Sequence, residues 1–303
     1  MAADITLPAI AKQAAPPSPL VEFWSSFREN KGAVGGLVIL VLIVLTAIFA
    51  DVLAPHSPYE QYRQFVRLPP AWYEGGNWSF PLGTDALGRD MLSRIMYGAR
   101  YSLFIGLSVM TVSIVCGVGL GLIAAFAGGW IDTVISRVMD LIVAIPSLVL
   151  AILIIAILQN PSLGKTIVAV TIVSLPRYVR LVRASALSEM GKDYVTAAKV
   201  AGVGKLHLML RTVLPNCMAP VIVQAALGVS DAILEAAALG FLGLGAQPPT
   251  PEWGAMVGDG REFIRSEPWI VTLPGLAILV TVISINLFGD GLRDALDPKL
   301  KRS

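Results

Sequence analysis

Six stretches of this chain are too apolar to face water, at about 33–53, 102–126, 135–158, 166–182, 218–245 and 270–289. A hydrocarbon core of ~30 Å takes roughly 20 apolar residues per helix. The stretch at 166–182 is short, and 218–245 is interrupted by Ser230, Asp231 and Glu235. None alternates polar with apolar residues as a barrel strand does, so each must satisfy its own backbone as a helix. The expected fold is an all-α integral membrane bundle of six helices. Composition agrees: 55% of residues are hydrophobic and 15% charged, against ~25% charged in soluble domains.

Basic residues set the expected orientation. Arg177, Arg180 and Arg183 recur every third residue at the end of the fourth stretch, followed by Lys192, Lys199, Lys205 and Arg211. Arg293, Lys299, Lys301 and Arg302 follow the sixth. All fall on one side if both termini are cytoplasmic. The long loop after the first stretch carries five arginines, but Glu60, Glu74, Asp85 and Asp90 offset them, and long loops translocate largely regardless of charge. Residues 1–31 are Pro- and Ala-rich, and no apolar core ends there at a small-residue cleavage site, so a cleaved signal peptide is not expected. Leu20, Phe23, Trp24 and Phe27 recur at helical spacing before Arg28 and Lys31, the pattern of a helix lying in the interface.

The polar interruption from Asp193 to Pro215 is the least membrane-like part of the core. Asp193 suits an N-cap, and Tyr194–Ala201 then makes about two helical turns. Gly202 stands where a left-handed residue would end them. A second helix over roughly 204–213 would turn Leu206, Leu208, Met209 and Val213 toward the bundle before Pro215 breaks it. So short a first helix needs packing to hold it. Its small Ala197, Ala198 and Ala201 let another protein approach the backbone closely.

The spacing Ala197-Ala198-x-x-x-Gly202, with Leu214-Pro215 a dozen residues on, resembles the Glu-Ala-Ala loop of ATP-binding-cassette importer permeases. Three further stretches narrow the likeness to the C-type membrane subunits of dipeptide, oligopeptide and nickel importers, with the dipeptide group most similar. They are Pro81–Asp85 continuing through Leu87–Asp90 and Leu92–Arg94, then Gly240–Gly245 with Pro248–Gly254, and Gly289–Pro298. The likeness runs from about residue 20 to the end. It implies a type I permease bundle in a bacterial inner membrane, multi-pass, with a cytoplasmic coupling helix. On that reading 1–31 is a cytoplasmic tail and 32–101 the first span with a periplasmic loop. Residues 102–290 are the permease core, with coupling loop 184–217 and periplasmic segment 246–269, and 291–303 a cytoplasmic tail.

The resemblance also implies partners: a B-type sister subunit, two cytoplasmic ATPases, a periplasmic peptide-binding protein and the lipid bilayer, but no nucleic acid. ATP and Mg would be bound by the ATPases, with no cofactor on this chain. Asp193, Tyr194, Thr196, Ala197, Ala198, Ala201, Gly202 and Pro215 would form the ATPase-coupling element. Thr196 stands where the family's Glu is usual; with Asp193 as N-cap it would be at N3, where Glu completes a capping box. The implied cargo is a dipeptide or short oligopeptide, with nickel chelates, haem or another small solute as the alternative.

Two sets of polar residues stand apart. Asp231 and Glu235 lie four apart on one helix face inside a span, where an ionised acid costs about 2.5–3.5 kcal/mol. They must line a wet path, pair with a base or be protonated; the sharper reading is a path for a cationic peptide amino terminus. Asp85, Arg89 and Asp90, with Trp253, are candidate contacts for an outer receptor or gate, the other reading being a self-satisfied salt-bridge cluster. An ion-coupled secondary transporter working through Asp231 and Glu235 would show repeated halves, which are not evident. His56 and His207 lack ligand-spaced neighbours, so no metal site is expected. Gly164-Lys165-Thr166 lacks the upstream Gly of a phosphate loop, position 159 being Gln. With no catalytic constellation, the chain is not expected to be an enzyme.

Overall fold

The computed structural model describes residues 18–296 and is helical, with no strand among them; Thr84 and Asp90 form one isolated bridge. Residues 1–17 and the tail bases Lys299, Lys301 and Arg302 lie outside the described residues. In order the helices are α1 (Pro19–Glu29), α2 (Lys31–Ile48), α3 (Ala50–Leu53), α4 (Met91–Ala127), α5 (Gly129–Ala144), α6 (Ser147–Leu158) and α7 (Leu163–Met190). Then come α8 (Asp193–Val200), α9 (Lys205–His207), α10 (Leu214–Phe241), α11 (Trp253–Gly260) and α12 (Trp269–Leu296).

Six rods make the bundle: α2, α4, the pair α5–α6, α7, α10 and α12. Among the described residues, α2, α4, the run Lys205–Phe241 and α12 are each long and apolar enough to cross a membrane alone. The expected continuous span at 135–158 is instead two helices meeting at 99°. Pro146 causes the break. It forces Ile145 into extended backbone (φ −96°, ψ 134°) and offers no N–H to continue the ladder. Over the fourth expected stretch α7 has 28 residues, carries Arg177, Arg180 and Arg183 in its second half, and is not among the helices long and apolar enough to cross a membrane alone.

The most extensive helix pairing is α4 with α7, and glycine makes it close. A Cβ on Gly117 would sit 2.4 Å from the Tyr178 Cβ, and one on Gly121 2.8 Å from the Val182 Cβ. Gly117→Leu should therefore separate the two helices and destabilise the bundle by about 1–3 kcal/mol, read as a fall in the thermal unfolding midpoint in detergent.

At one end of the bundle, α1 tucks Phe27 against Phe288 of α12 and beside Ala33 of α2. Trp24 stays exposed with Arg28 over its ring. Asn30 caps α2 through Ala33 N (3.1 Å) and donates to Asp294 (3.2 Å), so both described chain ends meet here. The α8–α9 hairpin lies at this same end, its Val195, Leu208 and Val213 packed with Leu122 and Ala125 of α4. Residues 54–90 and the α10–α12 connection occupy the opposite end.

Candidate functional site

The hairpin is built from Glu189 at the end of α7. Its carboxylate accepts Lys192 Nζ on one oxygen and the Tyr194 hydroxyl on the other, each at 2.6 Å. Burial first and that hydrogen bond second push the Tyr194 phenol up to about 12. The first turn closes one residue earlier than the sequence suggests. Lys192 is the N-cap, its carbonyl accepting from Val195 N (3.1 Å) and Thr196 N (3.2 Å). Asp193 is thus the first helical residue, with no side-chain capping bond, and Thr196 falls at N4, beyond capping-box reach. At N1 the Asp193 charge still faces the positive end of the helix.

Gly202 ends α8 at φ +80°, with Gly202 N to Lys199 O (3.0 Å) and Val203 N to Ala198 O (3.1 Å), a Schellman closure. The second arm departs from expectation. Lys205–His207 passes into a π-helical turn, Leu208–Val213, which runs straight into α10, so Pro215 does not break the helix. The wide turn bonds Leu214 N to Met209 O, shifting the ladder just where proline has no N–H to give. Leu208 and Val213 are buried and Met209 is half-buried, but Leu206 points outward, 66% exposed. On α8, Val195 is fully buried while Thr196, Ala197, Ala201 and Val200 are exposed, Val200 at 84%. The result is a pinned helical foot with a small-residue, apolar outer face.

On a half-exposed face of α7 each of its three arginines meets an acid on another helix. Arg183 holds Asp132 (Nη2–Oδ2 2.6 Å), Arg180 holds Asp140 (2.8 Å), and Arg177 pairs with Asp231. Glu235, one turn beyond Asp231, is not so paired, and its buried Oε2 has no hydrogen-bond partner. It lines a cavity of about 490 Å³ with Pro146 and Ser147 at the α5–α6 break and Pro176, Arg177 and Arg180 of α7. Asp231 and Glu235 therefore share a face but differ in surroundings, one held by an arginine and the other bordering the cavity with a buried, unbonded oxygen.

At the opposite end the four candidate outer residues are all buried. Asp85 Oδ1 accepts from Leu87 N (2.8 Å) and Arg89 N (2.9 Å), and Oδ2 takes Arg89 Nε (2.6 Å) with Arg94 Nε at 3.4 Å. Asp90 caps α4 through Ser93 N (3.0 Å) and lies 3.5 Å from His56 Nδ1. Trp253 is buried on Gly98, its Nε1 donating to Ile95 O (3.0 Å). Asp85 and Arg89 also line a cavity of about 270 Å³ with Arg94 and Asp259. Glu252 caps α11 through Gly254 N and Ala255 N, both 2.8 Å. Burial pushes its carboxyl up, against those bonds and one from Ser102. Sequence reasoning did not single out His56, Gly98, Arg94 or Glu252 for these roles.

With four helices among the described residues long and apolar enough to cross a membrane, and a braced helical foot at one end, the chain has the build of a membrane protein. Residues 117–302 match the family described as binding-protein-dependent transport system inner membrane component, and residues 18–70 match the N-terminal TM domain of oligopeptide transport permease C. The chain belongs to this family of inner membrane transport components. It is 58% identical to the di/tripeptide transport system permease protein of Pseudomonas aeruginosa over 95% of this chain and 94% of that one. It is 53% identical to the dipeptide transport system permease protein of Haemophilus influenzae (95% and 97% covered) and 55% to that of Escherichia coli K12 (95% of each). Among solved structures, an inward-facing form of the MetNI methionine ABC transporter matches at TM-score 0.58 and 17% identity, covering 68% of this chain and 98% of that one. That likeness establishes the fold alone.

Proposed function

We propose that this chain is one of two membrane subunits of an ATP-driven importer carrying dipeptides and short oligopeptides from periplasm to cytoplasm. The observation that carries the reading is the foot, where Val200, Leu206 and Ala197 are left uncovered on a hairpin whose own core is filled. Exposed apolar surface on a braced, protruding element fits a docking partner. A cytoplasmic ATPase supplies the complementary groove, and two of them bind and hydrolyse ATP with Mg. A homologous sister subunit completes the pathway, and a periplasmic peptide-binding protein delivers the cargo. The foot and both described chain ends share one end of the bundle, and the basic residues near them support a cytoplasmic location for that end. Dipeptide cargo is supported by the names of the three relatives.

The experiment is direct. Tagged protein purified from membranes should bring down an ATPase and a second permease subunit, and vesicles holding the complex should accumulate labelled dipeptide only with ATP. An ion-coupled carrier would purify without an ATPase and respond to a gradient instead.

Asp231 and Glu235 would then border the pathway, Glu235 meeting the cationic amino terminus of the peptide and Arg177–Asp231 keeping the neighbouring charge neutral. Glu235→Ala and Asp231→Ala, at normal protein levels, are each expected to lower uptake about tenfold or more, the worth of ~1.4 kcal/mol. Uptake at the unsubstituted rate in both would end the pathway role.

A further inference from the structure

The loop between Pro70 and Pro81 keeps one aromatic core and turns a second set of rings outward. It is closed on itself by Ala71 N to Pro81 O (3.1 Å), Tyr73 N to Pro70 O (2.9 Å), Gly76 N to Tyr73 O (2.9 Å) and Phe80 N to Asn77 O (2.9 Å). At Gly76 a Cβ would lie 2.2 Å from Pro70 O, so the loop is tightly folded. Phe80 is buried against His56, Tyr62 and Phe65. Trp72, Tyr73 and Trp78 are instead 60%, 54% and 77% exposed. Three large rings held outward on a closed loop mark a surface that something covers.

Their depth follows from α12. The Tyr73 ring lies 6.0 Å from Trp269, the first residue of that helix, and Trp72 lies 6.3 Å from Tyr73. With 28 residues α12 is about 42 Å long, some 12 Å more than the ~30 Å hydrocarbon core. Centred, it lifts Trp269 out of the acyl chains and into the headgroup layer. The loop is fastened at that level, since Arg67 sits 3.7 Å from Glu267 and over the Phe263 ring on the approach to α12. The excursion also begins directly after lipid-ready apolar surface, Val52 at 82% and Leu53 at 52% exposure.

We infer that Trp72, Tyr73 and Trp78 form a phospholipid contact, seating the 70–81 loop among the headgroup and glycerol groups of the outer leaflet. Indole and phenol rings suit that layer because one end of each is apolar and the other donates a hydrogen bond. The loop holds no Lys or Arg, and Glu74 is its one charge. The contact is therefore with zwitterionic as well as anionic lipid and is not an electrostatic one.

The test uses the full chain in lipid nanodiscs. Fluorescence of the unsubstituted protein minus that of Trp72→Phe/Trp78→Phe isolates the two exposed indoles. In discs of phosphatidylcholine brominated near the ester end, this difference emission should lose most of its intensity, while aqueous iodide should quench it weakly. Bromines near the methyl end should have less effect. Emission untouched by brominated lipid and quenched by iodide would overturn the inference. So would iodide access that closes only when the periplasmic binding protein is added, which would make the patch a receptor contact. Dipeptide uptake is not part of the readout, so a failed cargo assignment leaves this result standing.

Discussion

Ala197→Arg and Val200→Asp should each abolish ATP-driven uptake, by at least about a hundredfold, while leaving the permease inserted and folded. Both positions are exposed on α8, opposite the buried Val195 that fixes the helix to the bundle. A charge there therefore costs the fold little, at most about 1 kcal/mol for the Asp at the C-terminal end of α8. In the assembled importer it would be desolvated against the ATPase without a partner, which costs about 2–5 kcal/mol at an interface, and ~2.8 kcal/mol is a hundredfold. Co-purification of the ATPase and its dipeptide-stimulated hydrolysis are the measurements. Val195→Asp is the contrasting variant. With its side chain wholly inside, it should unfold the hairpin itself, and a protease should then cut within residues 191–213. If Ala197→Arg retains both ATPase and transport, the foot is not the docking surface.

Trp253→Ala is expected to be the most damaging single truncation at the other end. The indole is 2% exposed, packs in the cluster with Met91, Ala99, Leu103 and Ile233, and donates to Ile95 O. Removing a buried aromatic costs about 3–5 kcal/mol. Here it also loosens α11 from α4, because Gly98, on which the ring lies, has no side chain of its own to take up the gap. The thermal midpoint in detergent should fall steeply, and the yield of inserted protein with it. Trp253→Phe keeps most of the packing but not the hydrogen bond and should lose less, about 1–2 kcal/mol. Equal losses from both variants would mean that the ring's volume is not what holds the connection.

Much of the bundle could be read from apolar run length, because a span needs only enough greasy residues in a row. The α5–α6 break escaped that reading. Ser147–Leu158 and Gly129–Ala144 are both apolar enough to merge in a window average, and the break rests on one proline at 146. The hairpin's first arm was legible through Gly202, whose left-handed backbone few other residues adopt readily. Its second arm was not, since Pro215 signals a stop in an α-ladder and the π-turn removes the conflict. The exact cap was missed by one residue because Lys192 is a poor capping type and Asp193 a good one; the backbone carbonyl settled it instead. For the outer acids, spacing showed that Asp85, Arg89 and Asp90 could pair. Only the packing of 54–90 over α4 revealed that they are enclosed.

The absence of a stop at Pro215 has a mechanical consequence. From Lys205 to Phe241 the chain is one 37-residue helical run, so Glu235 stands about 45 Å from the foot along a single axis. A tilt of about 5° in such a crank moves one end relative to the other by about 4 Å, the scale of hinge and shear steps between packed helices. Displacement at Lys205 reaches the Glu235 carboxylate through continuous helix, and the π-turn and Pro220 are the places where twist or bend would be absorbed on the way.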